Sequence, residues 1–176
     1  GGIAMSPEDT IMVCDSSYQQ PGVSLYEVTP AGTVSLLRND LSSPSDIHFD
    51  ENGDLLVVER FGIAGVSRVA RDGSWREVVL RAADIGIQDH PTSLELDQEG
   101  NLYVAYRVTG SIYRMSPEGT TSLFATVPSS NIAIDLCFDP FGDLLASNSQ
   151  TGEIFNITPE GDVSLFASGL QRPRHM

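Results

Sequence analysis

One phrase of the sequence recurs four times along the chain. The residues Pro44-Ser45-Asp46-Ile47-His48-Phe49-Asp50-Glu51-Asn52-Gly53-Asp54-Leu55-Leu56-Val57-Val58-Glu59 are matched in pattern at 91–106, at 133–148 and, lacking the first residue, at 1–15. The copies recur every 42 to 47 residues. Self-similarity at such a period means that one small unit, unable to bury its apolar face alone, is stacked against others of its kind.

Within each unit the sequence predicts four short strands. The first (3–5, 47–49, 94–96, 136–138) ends in a turn at Asp50-Glu51-Asn52-Gly53, Asp97-Gln98-Glu99-Gly100 or Asp139-Pro140-Phe141-Gly142, where glycine supplies the positive φ of a hairpin. Asp9 takes that place in the first copy as a tolerated substitute. The second strand (11–14, 55–58, 102–105, 144–147) is the most apolar, as expected of a strand covered on both faces. The third alternates, as in Ser111-Ile112-Tyr113-Arg114-Met115 and Glu153-Ile154-Phe155-Asn156-Ile157, and runs into a turn closed by Gly32, Gly73, Gly119 or Gly161. Outer strands follow at 33–37, 74–80, 120–125 and 162–167. No window sustains a helical period, so the chain reads as all-β: a β-propeller of four-stranded antiparallel blades, four blades in this chain, at about 1–43, 44–90, 91–131 and 132–172.

The phrases at 44–59 and 152–167 resemble the NHL-type repeat and its relatives in the gluconolactonase and senescence-marker-protein superfamily, with a looser likeness to virginiamycin B lyase. The resemblance covers the whole chain. It implies a propeller, but lactonases, lyases, sensor domains and protein-binding modules share this blade pattern, so it does not assign an activity. Residues 173–176 match the start of a fifth copy, so the sequence is expected to be a piece of a larger propeller. The resemblance also implies a channel metal at the positions of Gly1, Ser45, Thr92, Ile134 and Arg174, none of which is a carboxylate or an amide here.

Composition excludes several chemistries. The 176 residues, 40% apolar, suffice for one sizeable core, and nothing resembles a linker, so a single domain over 1–176 is expected. Formal net charge is -14, and the ten basic residues are all arginine. Without lysine there is no Schiff base and no phosphate-binding P-loop lysine. The acidic balance also argues against nucleic acid and anionic membrane surfaces as partners. No stretch approaches the ~20 apolar residues of a membrane span, and the compartment is left open, cytoplasmic or extracytoplasmic. Cys14 and Cys137 fall in strands, read as core residues, and are not expected to pair. The sequon Asn156-Ile157-Thr158 lies in a strand and reads as chance.

Chemistry is expected where the loops between strands two and three meet those joining one blade to the next. Asp15, Glu59, Tyr106 and Asn148 end the second strands on that face, and Asp46, Ser93, Asp135 and His175 begin the first strands there. If the two columns are neighbours, Asp15, Asp46, Glu59, Asp135 and Asn148 form an oxygen-rich ring suited to a hard cation such as Ca²⁺. The competing reading gives the acid after the second strand a purely local task, accepting hydrogen bonds from loop amides. His48 is a catalytic candidate or a wall residue. Tyr18, Arg60, Phe61, Tyr106, Arg107 and His90 form the expected ligand-binding face, with His90 ending the longest interblade loop, 81–90.

Binding of a small molecule, a protein or a peptide is therefore the first reading. The second is a metal-dependent lactonase-type hydrolase, in which calcium polarises the ester carbonyl and a carboxylate or His48 handles the proton. The third is a purely structural blade array. Four blades leave two apolar blade faces to cover, and a homodimer closing the propeller is the expected way to cover them.

Overall fold

The structure is a computed structural model, and residues 1–6, 9–15, 23–128 and 134–173 are described. Among the described residues, sixteen strands form four antiparallel sheets, each made of four consecutive strands in sequence order. Blade 1 comprises β1 (Ile3–Met5), β2 (Ile11–Asp15), β3 (Val23–Val28) and β4 (Val34–Leu41). Blade 2 holds β5 (Pro44–Phe49), β6 (Leu55–Glu59), β7 (Gly65–Val69) and β8 (Arg76–Arg81). Blade 3 holds β9 (Pro91–Leu96), β10 (Leu102–Tyr106), β11 (Ser111–Met115) and β12 (Thr121–Thr126). Blade 4 holds β13 (Ile134–Phe138), β14 (Leu144–Asn148), β15 (Glu153–Ile157) and β16 (Val163–Ala167). The chain divides into two compact units, Gly1–Gln88 and Asp89–Met176, each with two blades. Among the described residues no helix is long and apolar enough to cross a membrane.

The turns form as their residues dictate. Asp50, Asp97 and Asp139 each accept two backbone amides through one carboxylate oxygen, those of Asn52 and Asp54, Glu99 and Asn101, and Phe141 and Asp143. These side-chain caps preorganise the turn for the glycine at φ 81, 79 and 93. In blade 1, Ser6 takes the aspartate's place, accepting the Thr10 amide, and Asp9 adopts φ 60.

Period-2 alternation gives every blade two faces. The leading face of blade 2 carries Ile47, Val57 and Ser67 in one cross-strand row and Phe49, Leu55 and Val69 in the next. Its apolar members meet Met12, Cys14 and Leu25 from the trailing face of blade 1 in a single cluster. In the second unit, Leu136, Ala146 and Phe155 with Leu144 and Ile157 lead from blade 4 onto Tyr103, Ala105 and Ile112 of blade 3. Within each unit the second blade thus packs its leading face on the trailing face of the first. Turn glycines let the outer edges close: a Cβ on Gly161 would lie 2.5 Å from the Phe124 carbonyl oxygen.

Three expectations need correction. The first strands of blades 2 and 3 begin at their prolines, because Pro44 and Pro91 pair with Glu59 and Tyr106 across a bulge. Proline is tolerated as a strand's first residue. Strand β4 runs to Leu41, shortening the expected interblade loop 39–43 to two residues. Segment 81–90 contains a single 3-10 turn, Ala82–Ile85, ended by Gly86 at φ 75.

Candidate functional site

The two expected columns of oxygen donors stand on opposite faces of their sheets. Asp46 pairs with Val58, not with Glu59, and Asp135 pairs with Ser147, not with Asn148. Successive residues of a strand point to opposite sides, so Asp46 and Glu59 point away from each other, as do Asp135 and Asn148. Among the described residues no three His, Cys, Asp or Glu side chains converge as a metal site would require.

Glu59 is instead fully buried between blades 1 and 2. One carboxylate oxygen accepts the Ser42 amide at 2.6 Å; the other accepts Ser67 Oγ at 2.6 Å and the Arg76 guanidinium, whose Nε is at 3.1 Å and whose terminal nitrogen also ion-pairs with it. The acid after the second strand therefore has the local task, tying the interblade loop to its blade. Backbone bonds complete the tie, from Arg60 N to Ser43 O and from Phe61 N to Ser42 O, both 3.2 Å. They hold Ser43 in the left-handed region at φ 56, which a non-glycine residue seldom adopts.

The second unit does the same work with different residues. In blade 3 the strand ends in Tyr106, and the carboxylate comes from the interblade segment as Asp89, which is 3% exposed. Asp89 accepts the amides of His90 (2.6 Å), Val108 (2.9 Å) and Thr109 (2.8 Å) and the Thr109 hydroxyl (2.9 Å). In blade 4, Asn148 donates to the Pro128 carbonyl at 2.9 Å and accepts the Gln150 and Thr151 amides. Sequence reasoning missed Asp89, because its partners lie about 20 residues on and no local pattern marks it.

The remaining site residues divide. Phe61 is exposed, with the Arg60 guanidinium 5.8 Å from its ring centre, and Arg107 is fixed by its amide to the His90 carbonyl at 3.0 Å. Tyr106, expected on the open mouth, is fully buried, its ring edge-on to Tyr113 at 5.8 Å; burial pushes its phenol far up. His48 is half-buried on β5, sharing the trailing face of blade 2 with Leu56 and Arg68. Asp15 is exposed on the leading face of blade 1. Tyr18, loop 16–21 and His175 lie outside the described residues. Burial, with Asp46 adding, pushes the Cys14 thiol up to about 12, and burial followed by Glu95, Asp135 and Asp139 raises Cys137, so neither is poised as a thiolate nucleophile.

At the opposite end of blades 3 and 4 lies a cavity of about 520 Å³ that the sequence did not announce. Tyr103, Phe124, Phe138, Phe141 and Arg114 line it, with Asp97 and Asp139 at its turns. The Arg114 guanidinium stands 5.9 Å from the Tyr103 ring centre, and the Tyr103 hydroxyl donates to Asp97 at 3.1 Å.

No protein-family profile matches the sequence, and no curated protein does. Solved structures do. The chain is similar to a virginiamycin B lyase from Staphylococcus aureus (14% identity, TM-score 0.72, 94% of this chain and 54% of that one). It is also similar to a structure described as a nidogen/laminin complex (21%, 0.78, 99% and 66%) and to a putative gluconolactonase (16%, 0.76, 95% and 62%). At these identities the likeness shows the fold alone, that of β-propeller blades of four antiparallel strands. The chain spans between about half and two thirds of the length of these three structures.

Proposed function

We propose that this propeller is a binding module whose contact surface is the loop end of its blades. One observation carries the reading: buried acceptors at Glu59 and Asp89 fix loops that carry an arginine beside an exposed apolar side chain, Arg60 with Phe61 and Arg107 with Val108. Arginine and aromatic residues are the types that anchor protein and peptide interfaces, and a loop backbone that is already fixed loses little freedom on binding. In a chain of net charge -14, these arginines favour a peptide bearing carboxylates beside an apolar residue. Similar folds serve a lyase, a putative gluconolactonase and an auxiliary nutrient binding protein, so the fold accommodates binding without deciding the ligand.

The test is a peptide selection from a random displayed library, followed by affinity measurements on three double variants. Arg60→Ala/Phe61→Ala and Arg107→Ala/Val108→Ala remove the loop-end anchors, and Arg114→Ala/Phe141→Ala alters the distal cavity. We expect at least one loop-end variant to lose about tenfold or more in affinity, the scale of a hot-spot residue. Peptides that ignore both loop-end variants and depend on Arg114 or Phe141 would overturn the reading.

A further inference from the structure

The cavity between blades 3 and 4 is built wholly within one unit, at the end of the blades opposite the Arg107 loop. Its volume of about 520 Å³ falls in the range that holds small molecules, roughly 300–1,000 Å³. The aromatic wall is already arranged: the Tyr103 ring stands edge-on to Phe124 at 5.0 Å and to Phe138 at 5.3 Å between centres. Such a wall takes a further ring by the same edge-to-face or offset contacts.

Arg114 is the charged member of that wall. Its counterpart in blade 2 is Arg68: Arg68 pairs with Leu56 and Glu77 across the sheet, and Arg114 pairs with Tyr103 and Ser122 at the same positions. Arg68 meets two carboxylates, Asp50 at 2.9 Å and Glu77 at 3.3 Å. Arg114 has neither counterpart. The Asp97 oxygen that corresponds to the one Asp50 offers Arg68 instead accepts the Asn101 side-chain amide at 2.7 Å and the Tyr103 hydroxyl at 3.1 Å, and Ser122 stands in the place of Glu77. Among the described residues nothing accepts a hydrogen bond from Arg114 Nε, which is buried. A guanidinium left in this state favours a carboxylate brought in from outside the fold.

The turns around the cavity carry the other sign, as Asp97, Glu99 and Asp139. The amides of Phe141 and Asp143 both go to one oxygen of Asp139, which leaves its second oxygen to a donor from elsewhere. A ligand with a carboxylate alone would be repelled by these acids, and one with an ammonium alone would be repelled by Arg114. We propose that this cavity binds a small zwitterionic aromatic molecule, of the class of a free aromatic amino acid. Its ring lies against Tyr103, Phe124 and Phe138, its carboxylate on Arg114 and its ammonium towards the acidic turns.

Titration calorimetry on the full chain tests this with L-phenylalanine, phenylacetate and phenethylamine, the last two each lacking one charge. We expect saturable binding of L-phenylalanine at millimolar concentration or below, with each analogue weaker by about tenfold or more. Ser122→Glu, at an exposed position, gives Arg114 the carboxylate that Glu77 gives Arg68 and should weaken L-phenylalanine about tenfold. Arg114→Met keeps an apolar stem in the wall and should weaken L-phenylalanine by a similar factor while leaving phenethylamine no weaker than before. Far-UV circular dichroism establishes that each variant keeps its strands. Arg107→Ala/Val108→Ala should leave L-phenylalanine binding unchanged, so the outcome is separate from that of the peptide reading at the loop end. No saturable binding of L-phenylalanine, an analogue that binds as tightly, a folded Ser122→Glu or Arg114→Met chain with full affinity, or a loss in the loop-end variant would each overturn the proposal.

Discussion

Replacing Glu59 by alanine tests the assignment of this residue to loop pinning. The carboxylate has no exposure and satisfies the Ser42 amide, the Ser67 hydroxyl and the Arg76 guanidinium. Its removal strands two neutral donors at about 1–3 kcal/mol each and leaves a cation without its partner. Breaking a buried pair by removing one side costs about 3–5 kcal/mol; the Arg76 side chain is 21% exposed and can reach water, which places the total near 4 kcal/mol. For a chain of this length that is a fall in Tm of about 10 °C. The measurement is a thermal or urea melt of Glu59→Ala, Arg76→Ala and the double variant. The double variant should lose about 2 kcal/mol less than the sum of the singles, since the two side chains share one network. Asp15, the counterpart in blade 1, is exposed, and Asp15→Ala should change stability by no more than about 0.5 kcal/mol. A loss below about 1 kcal/mol for Glu59→Ala, the scale of a surface ion pair, or additive single variants would refute the argument.

Three further outcomes are expected. Asp89→Ala should destabilise by about 2–3 kcal/mol and speed hydrogen exchange at the Val108 and Thr109 amides, and unchanged exchange there would remove Asp89 from its pinning role. Calcium at millimolar concentration should leave Tm unchanged, because Glu59 and Asn148 are engaged by their loops; a concentration-dependent rise would restore the metal reading. Burial, and next the charge of Asp97, push the Tyr103 phenol up from 10.0 to about 12. A raised folded pKa stabilises fully below 10 and fades as pH climbs towards 12, so stability should fall across that window, and Tyr103→Phe should flatten the fall.

The blades were legible because their signals are local. Glycines and prolines at fixed offsets, alternation on the third strand and an unbroken apolar second strand depend on residues within ten positions of one another. The site was less legible for two reasons. Neighbourhood in a sheet depends on register, and the bulge between Pro44 and Asp46 sets Asp46 opposite Val58. An oxygen ring drawn from strand ends therefore divides between two faces. Asp89 and the 3-10 turn at Ala82–Ile85 belong to a segment without periodicity, and their geometry follows from partners in the next loop. Tyr106 looked like a rim aromatic from its place at the end of a strand, but it follows four buried positions and continues their burial.

The travelling carboxylate has a consequence for anyone who would exchange one blade for another. The acceptor sits at the end of β6 in blade 2 and ahead of β9 in blade 3, while the donors sit on the other side of the join in each case. A graft cut at the start of the first strand would carry Glu59 away from Ser42, or bring in Val108 and Thr109 with no Asp89 to receive them. The inheritable unit of this chain is thus a blade together with the few residues that lead into it, and recombination should succeed only at seams placed upstream of Ser42 and of Asp89.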